Sequence, residues 1–75
     1  MKPDHDKIRA ARIARGMTIE DACTTADISK TGLINIEQGR VESPRADILG
    51  RLANIYGVTV DSLYTRDGEA PNDAT

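Results

Sequence analysis

The chain has 75 residues, ten basic against twelve acidic side chains for a net charge of −2, one cysteine and one histidine. A domain this short buries only about 60% of its unfolded surface, so a single small core with marginal stability is expected. A lone Cys23 and a lone His5 exclude an intrachain disulfide and a Cys/His zinc site, and they imply no cofactor and a reducing, cytoplasmic setting. No nucleophile–base pair stands at a recognisable spacing, which argues against an enzyme. No apolar run approaches a membrane span or a signal peptide.

The acidity is uneven. Asp67, Glu69 and Asp73 lie beyond Arg66, so residues 1–66 carry ten basic and nine acidic side chains, a net of +1. That is not the strongly basic domain that nonspecific DNA binding favours. Any grip on nucleic acid therefore depends on where individual charges sit.

Residues 1–6 begin with MKPDH, whose proline and alternating charge read as a flexible leader, and His5 as an exposed surface residue. Asp6 is placed to cap a first helix running to about Arg15, with Ile8 and Ala11 inward and Gly16 ending it. Arg9, Arg12 and Arg15 follow at steps of three as a basic stripe.

Thr18, with Asp21 three residues on, has the form of a capping box for a second helix from Ile19, Asp replacing the usual Glu. Ala22, Cys23 and Ala26 recur on its inner face, and their small size lets a neighbouring helix approach closely. Met17, Cys23 and Ile28 are expected in the core. Asp27 and Ile28 then break the pattern, Asp27 because it tolerates a left-handed backbone and Ile28 as an apolar plug.

Ser29 caps a third helix in which Leu33 and Ile36 point inward. Lys30, Thr31, Ile34, Asn35 and Gln38 are left to water or a partner, and Gly39 ends the helix. Gly32 costs about 1 kcal/mol of helix propensity relative to Ala, and it permits a close approach either to DNA or to another helix.

Arg40 to Ser43 is a polar loop. Ser43-Pro44 resembles an N-cap followed by proline at the first helical position, and Ile48, Leu49, Leu52, Ala53, Ile55 and Tyr56 give an apolar stripe up to Gly57. Thr59 caps a short fifth helix, about residues 60–65, whose Val60, Leu63 and Tyr64 close the core or meet a second subunit. Residues 66–75 have glycine, proline and acid without periodicity and read as a disordered acidic tail. No strand pattern is visible. The expectation is an all-α, five-helix domain over residues 7–65.

The residues Arg12, Gly16-Met17-Thr18, Ile28-Ser29, Leu33, Ile36-Glu37, Gly39, Pro44, Leu52-Ala53 and Gly57-Val58 stand in a register that resembles the Cro/CI-type helix-turn-helix of the xenobiotic-response-element (XRE) family. The resemblance covers about residues 8–64. It implies a lambda-repressor-like domain that regulates transcription, most simply as a repressor, by binding operator DNA; the short chain and its apolar end at Val60, Leu63 and Tyr64 add the expectation of a symmetric dimer with those residues at its interface. Its third helix enters the major groove.

Carried over position by position, the resemblance assigns base contacts to Lys30, Thr31, Ile34 and Asn35, and phosphate contacts to Thr18, Gln38, Arg40 and Arg45. It gives Arg12 and Glu37 a structural ion pair. Lys can donate to guanine O6/N7, Asn can pair bidentately with adenine, and Thr can touch a thymine methyl. Three positions depart from the pattern. Ile19 stands where many members carry a glutamine that bridges phosphate and recognition helix, Ile34 replaces a polar residue, and Glu42 puts a carboxylate where phosphates should lie. These departures give a second reading, a protein-interaction module on the same fold, antirepressor-like or antitoxin-like, with a patch centred on Ile34.

Overall fold

The structure, a computed structural model, describes residues 2–41 and 43–65. The chain runs β1 (Lys2–Pro3), α1 (His5–Ala14), α2 (Ile19–Ala26), α3 (Lys30–Glu37), α4 (Ala46–Tyr56), a 3-10 turn (Asp61–Leu63) and β2 (Tyr64–Thr65). The architecture is helical, with α2 packed on both α3 and α4, and α1 closing the bundle against α3, α4 and the 3-10 turn.

In the core, Ile8, Leu33, Leu49, Leu52 and Leu63 are fully enclosed, joined by Ala22, Cys23, Ala26, Ile36, Ala53 and Tyr56. Met17, Ile19 and Ile28 are half-buried against its edge. The small residues of α2 do what their size suggests: without bulk between them, α2 sits close to two helices at once.

The helix ends follow local chemistry. The Thr18 hydroxyl accepts from the Asp21 amide at 3.0 Å while the Asp21 carboxylate accepts from the Thr18 amide at 3.2 Å, completing the expected capping box. Asp27 ends α2 in the left-handed region, at φ 59° and ψ 51°. Gly39, at φ 75°, ends α3, and a side chain there would also press on the His5 ring, about 3.1 Å from an added Cβ.

Four expectations need correction. The cap of α1 is Asp4, not Asp6: its Oδ1 accepts from the amides of Asp6 at 3.0 Å and Lys7 at 3.3 Å. Within the leader expected to be flexible, Lys2 and Pro3 pair antiparallel with Thr65 and Tyr64, and His5 and Asp6 already belong to α1. The fifth helix is absent among the described residues. The Thr59 hydroxyl accepts from the Ser62 amide at 3.2 Å, but the cap position falls on Val60, and only a single 3-10 turn follows before the chain extends into β2. Finally, α4 starts at Ala46: Arg45, extended at φ −65° and ψ 142°, is its N-cap without a side-chain cap bond, and Ser43-Pro44 lie in the connection before it. The expected acidic tail, residues 66–75, lies outside the described residues.

The two-residue ladder and the α1 cap form one unit. Asp4 Oδ2 accepts from the Thr65 hydroxyl at 2.6 Å and the Asp4 amide donates to Leu63 O at 2.9 Å, so both ends of the domain meet at one carboxylate. Burial pushes the Asp4 carboxyl up, but hydrogen bonds from Thr65 and from the Lys7 and Asp6 amides, with the Lys7 charge, outweigh it and hold the group below the usual aspartate value. A carboxyl depressed on folding adds stability above its unfolded pKa and loses it as pH falls through the folded value. Asp4→Ala is therefore expected to cost about 1 kcal/mol at pH 7, the usual worth of an N-cap. In urea titrations, the gap between variant and wild type should close as acid protonates the carboxyl.

Candidate nucleic-acid interface

Helix α3 divides its residues between two faces. Leu33, Ile36 and Glu37 are buried, Lys30, Thr31 and Gln38 are exposed, and Ile34 and Asn35 are half-buried. Steps of three and four place Lys30, Thr31, Ile34, Asn35 and Gln38 along one side of the helix, away from the core. The Ser29 hydroxyl starts the helix by accepting from the Gly32 amide at 3.0 Å. A Cβ at Gly32 would come within 2.7 Å of that hydroxyl, so the glycine's near neighbour is the cap itself rather than another helix.

Glu37 anchors the other end. Arg12 Nε donates to Glu37 Oε2 at 2.7 Å and Nη2 to Oε1 at 3.0 Å, a two-pronged pair whose side chains are 13% and 6% exposed. Arg12 Nη1 also donates to Met17 O at 2.8 Å, reaching the connection between α1 and α2. The Glu37 hydrogen bonds hold the Arg12 pKa above its ordinary value against the opposing effect of burial. Cys23 lies nearby, its thiol donating to Ser29 O at 3.6 Å, and burial pushes the thiol pKa up, so it is a packed core residue rather than a nucleophile.

Around the exposed stripe, Arg40 reaches back to α3: its amide donates to Asn35 O at 2.9 Å and its Nη1 contacts Asn35 Oδ1 at 3.5 Å. One candidate base-contacting side chain and one cation are thus adjacent. Thr18 is exposed at the start of α2, but Glu20 and Asp21 occupy the same first turn. Those carboxylates already complement the helix dipole, so Thr18 offers a hydrogen bond with little attractive field behind it. Arg45 is exposed and pairs with Asp47 at 3.3 Å, an open contact of little energetic weight.

Two assigned residues are placed differently from expectation. Ile34 is not simply exposed: it is half-buried and lines a shallow hollow with Ile19, Arg9, Arg12, Glu37 and Gln38. The two apolar departures from the family pattern therefore meet in one place. Leu63 is fully enclosed by its own chain, so it belongs to the core and is unavailable to a second subunit, whereas Val60 is exposed and Tyr64 half-buried. Glu42 lies outside the described residues. Sequence reasoning missed Arg51, whose side chain crosses from α4 to the end of α2, donating to Asp27 O at 3.2 Å and Ala26 O at 3.5 Å. No periodicity marks such a contact, since it joins residues 24 or more apart.

Two helices set at a tight turn, the second with its outer side polar, define a helix-turn-helix. The family profile described as a helix-turn-helix domain matches residues 6–63. The chain belongs to this family, in the XRE-type form that the sequence motifs imply.

Among relatives, the HTH-type transcriptional regulator DdrOP3 of Deinococcus deserti is 36% identical over 58 residues, which make up 77% of this chain and 44% of that protein. The chain thus spans less than half the length of this relative. Among solved structures, the biofilm master regulator SinR in complex with DNA superposes with a TM-score of 0.78 at 21% identity, over 81% of this chain and all of that one. The N-terminal DNA-binding domain of SinR from Bacillus subtilis gives 0.77 at 22% identity, over 88% of this chain and all of that one. At those identities the likeness speaks for the fold.

The buried pair supplies a stability test. Removing one partner strands a charge in a low-dielectric site, so Glu37→Ala is expected to cost about 3–5 kcal/mol and to leave little folded protein by far-UV circular dichroism. Replacing both partners by apolar residues, Arg12→Met with Glu37→Leu, should recover most of that loss.

Proposed function

We propose that this chain is a sequence-specific DNA-binding regulator of transcription, acting in the cytoplasm as a repressor and reading operator half-sites with α3 in the major groove. The observation that carries the reading is the two-sided character of α3. Its inner side chains are fixed by the core and by the Arg12–Glu37 pair, while Lys30, Thr31 and Asn35 lie along the other side with Gln38 and Arg40 beside them. In this reading Lys30 donates to guanine, Asn35 contacts adenine, Thr31 contacts a base edge, and Ile34 meets a thymine methyl. Gln38, Arg40, Arg45 and Thr18 hold phosphates and set the register.

The relatives support the same direction: one is named a transcriptional regulator and another is solved on DNA. The competing module, docking a protein through Ile34, is less favoured. Ile34 is partly covered beside Ile19, whereas cations flank the polar stripe.

The regulator works as a symmetric dimer on half-sites about one helical turn apart. The exposed Val60 and half-buried Tyr64 are the residues of the domain's end left for the second subunit.

Selection of bound sequences from a random duplex pool, at low and physiological salt, tests the reading directly. An enriched palindrome is expected, and Asn35→Ala or Lys30→Ala should each cost about 1–3 kcal/mol of discrimination at one position of the half-site. Enrichment indifferent to both substitutions would remove the assignment of α3. In sedimentation with the selected duplex, the wild-type chain should bind as two copies per site and Val60→Glu as one; a wild-type protein that stays at one copy would end the dimer claim.

A further inference from the structure

The connection that orients α3 consists of Asp27, Ile28 and Ser29, and it is held from outside. At its first residue the chain turns left-handed, and Asp27 is the only non-glycine residue with a positive φ among the described residues. Such a backbone costs energy for a residue with a Cβ and persists only where its surroundings enforce it. The end of α2 also leaves carbonyls without intrahelical partners, and its last turn contains no basic residue to complement the negative end of the dipole.

Helix α4 meets both needs. Arg51 Nη1 donates to Asp27 O at 3.2 Å and Ala26 O at 3.5 Å, placing a permanent cation on the exposed carbonyls. One turn earlier on the same side of α4, Ile48 lines a small hollow with Asp27, Ile28 and Ser29. The turn thus carries a guanidinium at its start, while Ile28 and Ile48 both pack against the core beneath it.

We propose that Arg51 is a positioning residue for DNA reading: it touches neither base nor phosphate, and fixes the angle at which α2 hands the chain to α3. The proposal rests on the reading of α3 as the base-contacting helix. If the angle loosens, contacts that depend on exact placement of Asn35 and Lys30 weaken, while phosphate attraction, which depends on charge and tolerates displacement, does not weaken selectively.

The experiment uses the full chain with Arg51→Met and Arg51→Lys, checked for retained helicity by circular dichroism. Binding is measured to the selected duplex and to a scrambled duplex of equal length over a range of salt. Backbone amide shifts are recorded for the free protein. Arg51→Met should lose about tenfold in affinity for the selected duplex beyond any loss on the scrambled one, the size of one charge-assisted hydrogen bond. The slope of log affinity against log salt should stay at the wild-type value, amide shifts should move chiefly over residues 26–30, and Arg51→Lys should restore at least part of the preference.

A slope shallower by about one would make Arg51 a phosphate contact and overturn the proposal. Equal losses on both duplexes, or no loss on either, would overturn it too. Should the wild type select no sequence, the α3 reading itself fails. The amide shifts then decide whether Arg51 holds the turn: movement confined to 26–30 supports the clamp, and movement spread through the core rejects it.

Discussion

Helix α3 has eight residues, and so does α2. Helices of that length do not form stably by themselves in water, because nucleation costs more than two turns of hydrogen bonds return. The Arg12–Glu37 pair addresses this weakness in a way that packing alone does not. Leu33 and Ile36 hold α3 against the core, yet apolar contacts resist separation far better than rotation or sliding. A bidentate fork with bonds of 2.7 and 3.0 Å fixes distance and rotation together. Through Met17 O the same guanidinium also fixes the connection leading into α2. Replacing such a pair by apolar side chains is frequently neutral for stability, so its value here lies in orientation. With Glu37 fixed, the direction of Thr31, Asn35 and Gln38 follows from helix geometry.

Orientation matters more than usual because charge contributes little. A net of +1 over residues 1–66 supplies no strong general attraction to phosphate, and carboxylates stand beside the assigned cations and caps. Arg45 faces Asp47, Arg12 is consumed by Glu37, and Glu20 and Asp21 sit beside Thr18. A domain of this kind forgoes much of the sequence-independent, salt-driven binding that basic domains have. What remains is the directional part, which is only as good as the rigidity behind it.

Much of this was legible in the residues, and the boundary has a physical cause. The capping box at Thr18, the Ser29 cap, the inward Leu33 and Ile36, and the C′ glycine at Gly39 are local, fixed by neighbours within four or five positions. The Arg12–Glu37 pair is not local, and it was read only because a family pattern placed both partners. Three features escaped because they join distant residues without periodicity: the Lys2–Pro3 ladder with Tyr64–Thr65, the Asp4–Thr65 bond across the two ends, and Arg51 on the turn. The last helix was over-read for a related reason. The Thr59 hydroxyl does bond the Ser62 amide, but pairing of Tyr64 and Thr65 with β1 draws the chain into extended form after a single turn.

The hollow shared by Ile19 and Ile34 turns two separate departures into one coupled change. In the family pattern a polar residue at the first position links phosphate to the recognition helix. Here both positions are aliphatic and border the same hollow, so that directional link is lacking. An apolar side chain sets no rotation. The rotational control must then come from elsewhere in the chain, and the guanidinium groups of Arg12 at the end of α3 and Arg51 at the turn before it stand where that control is needed.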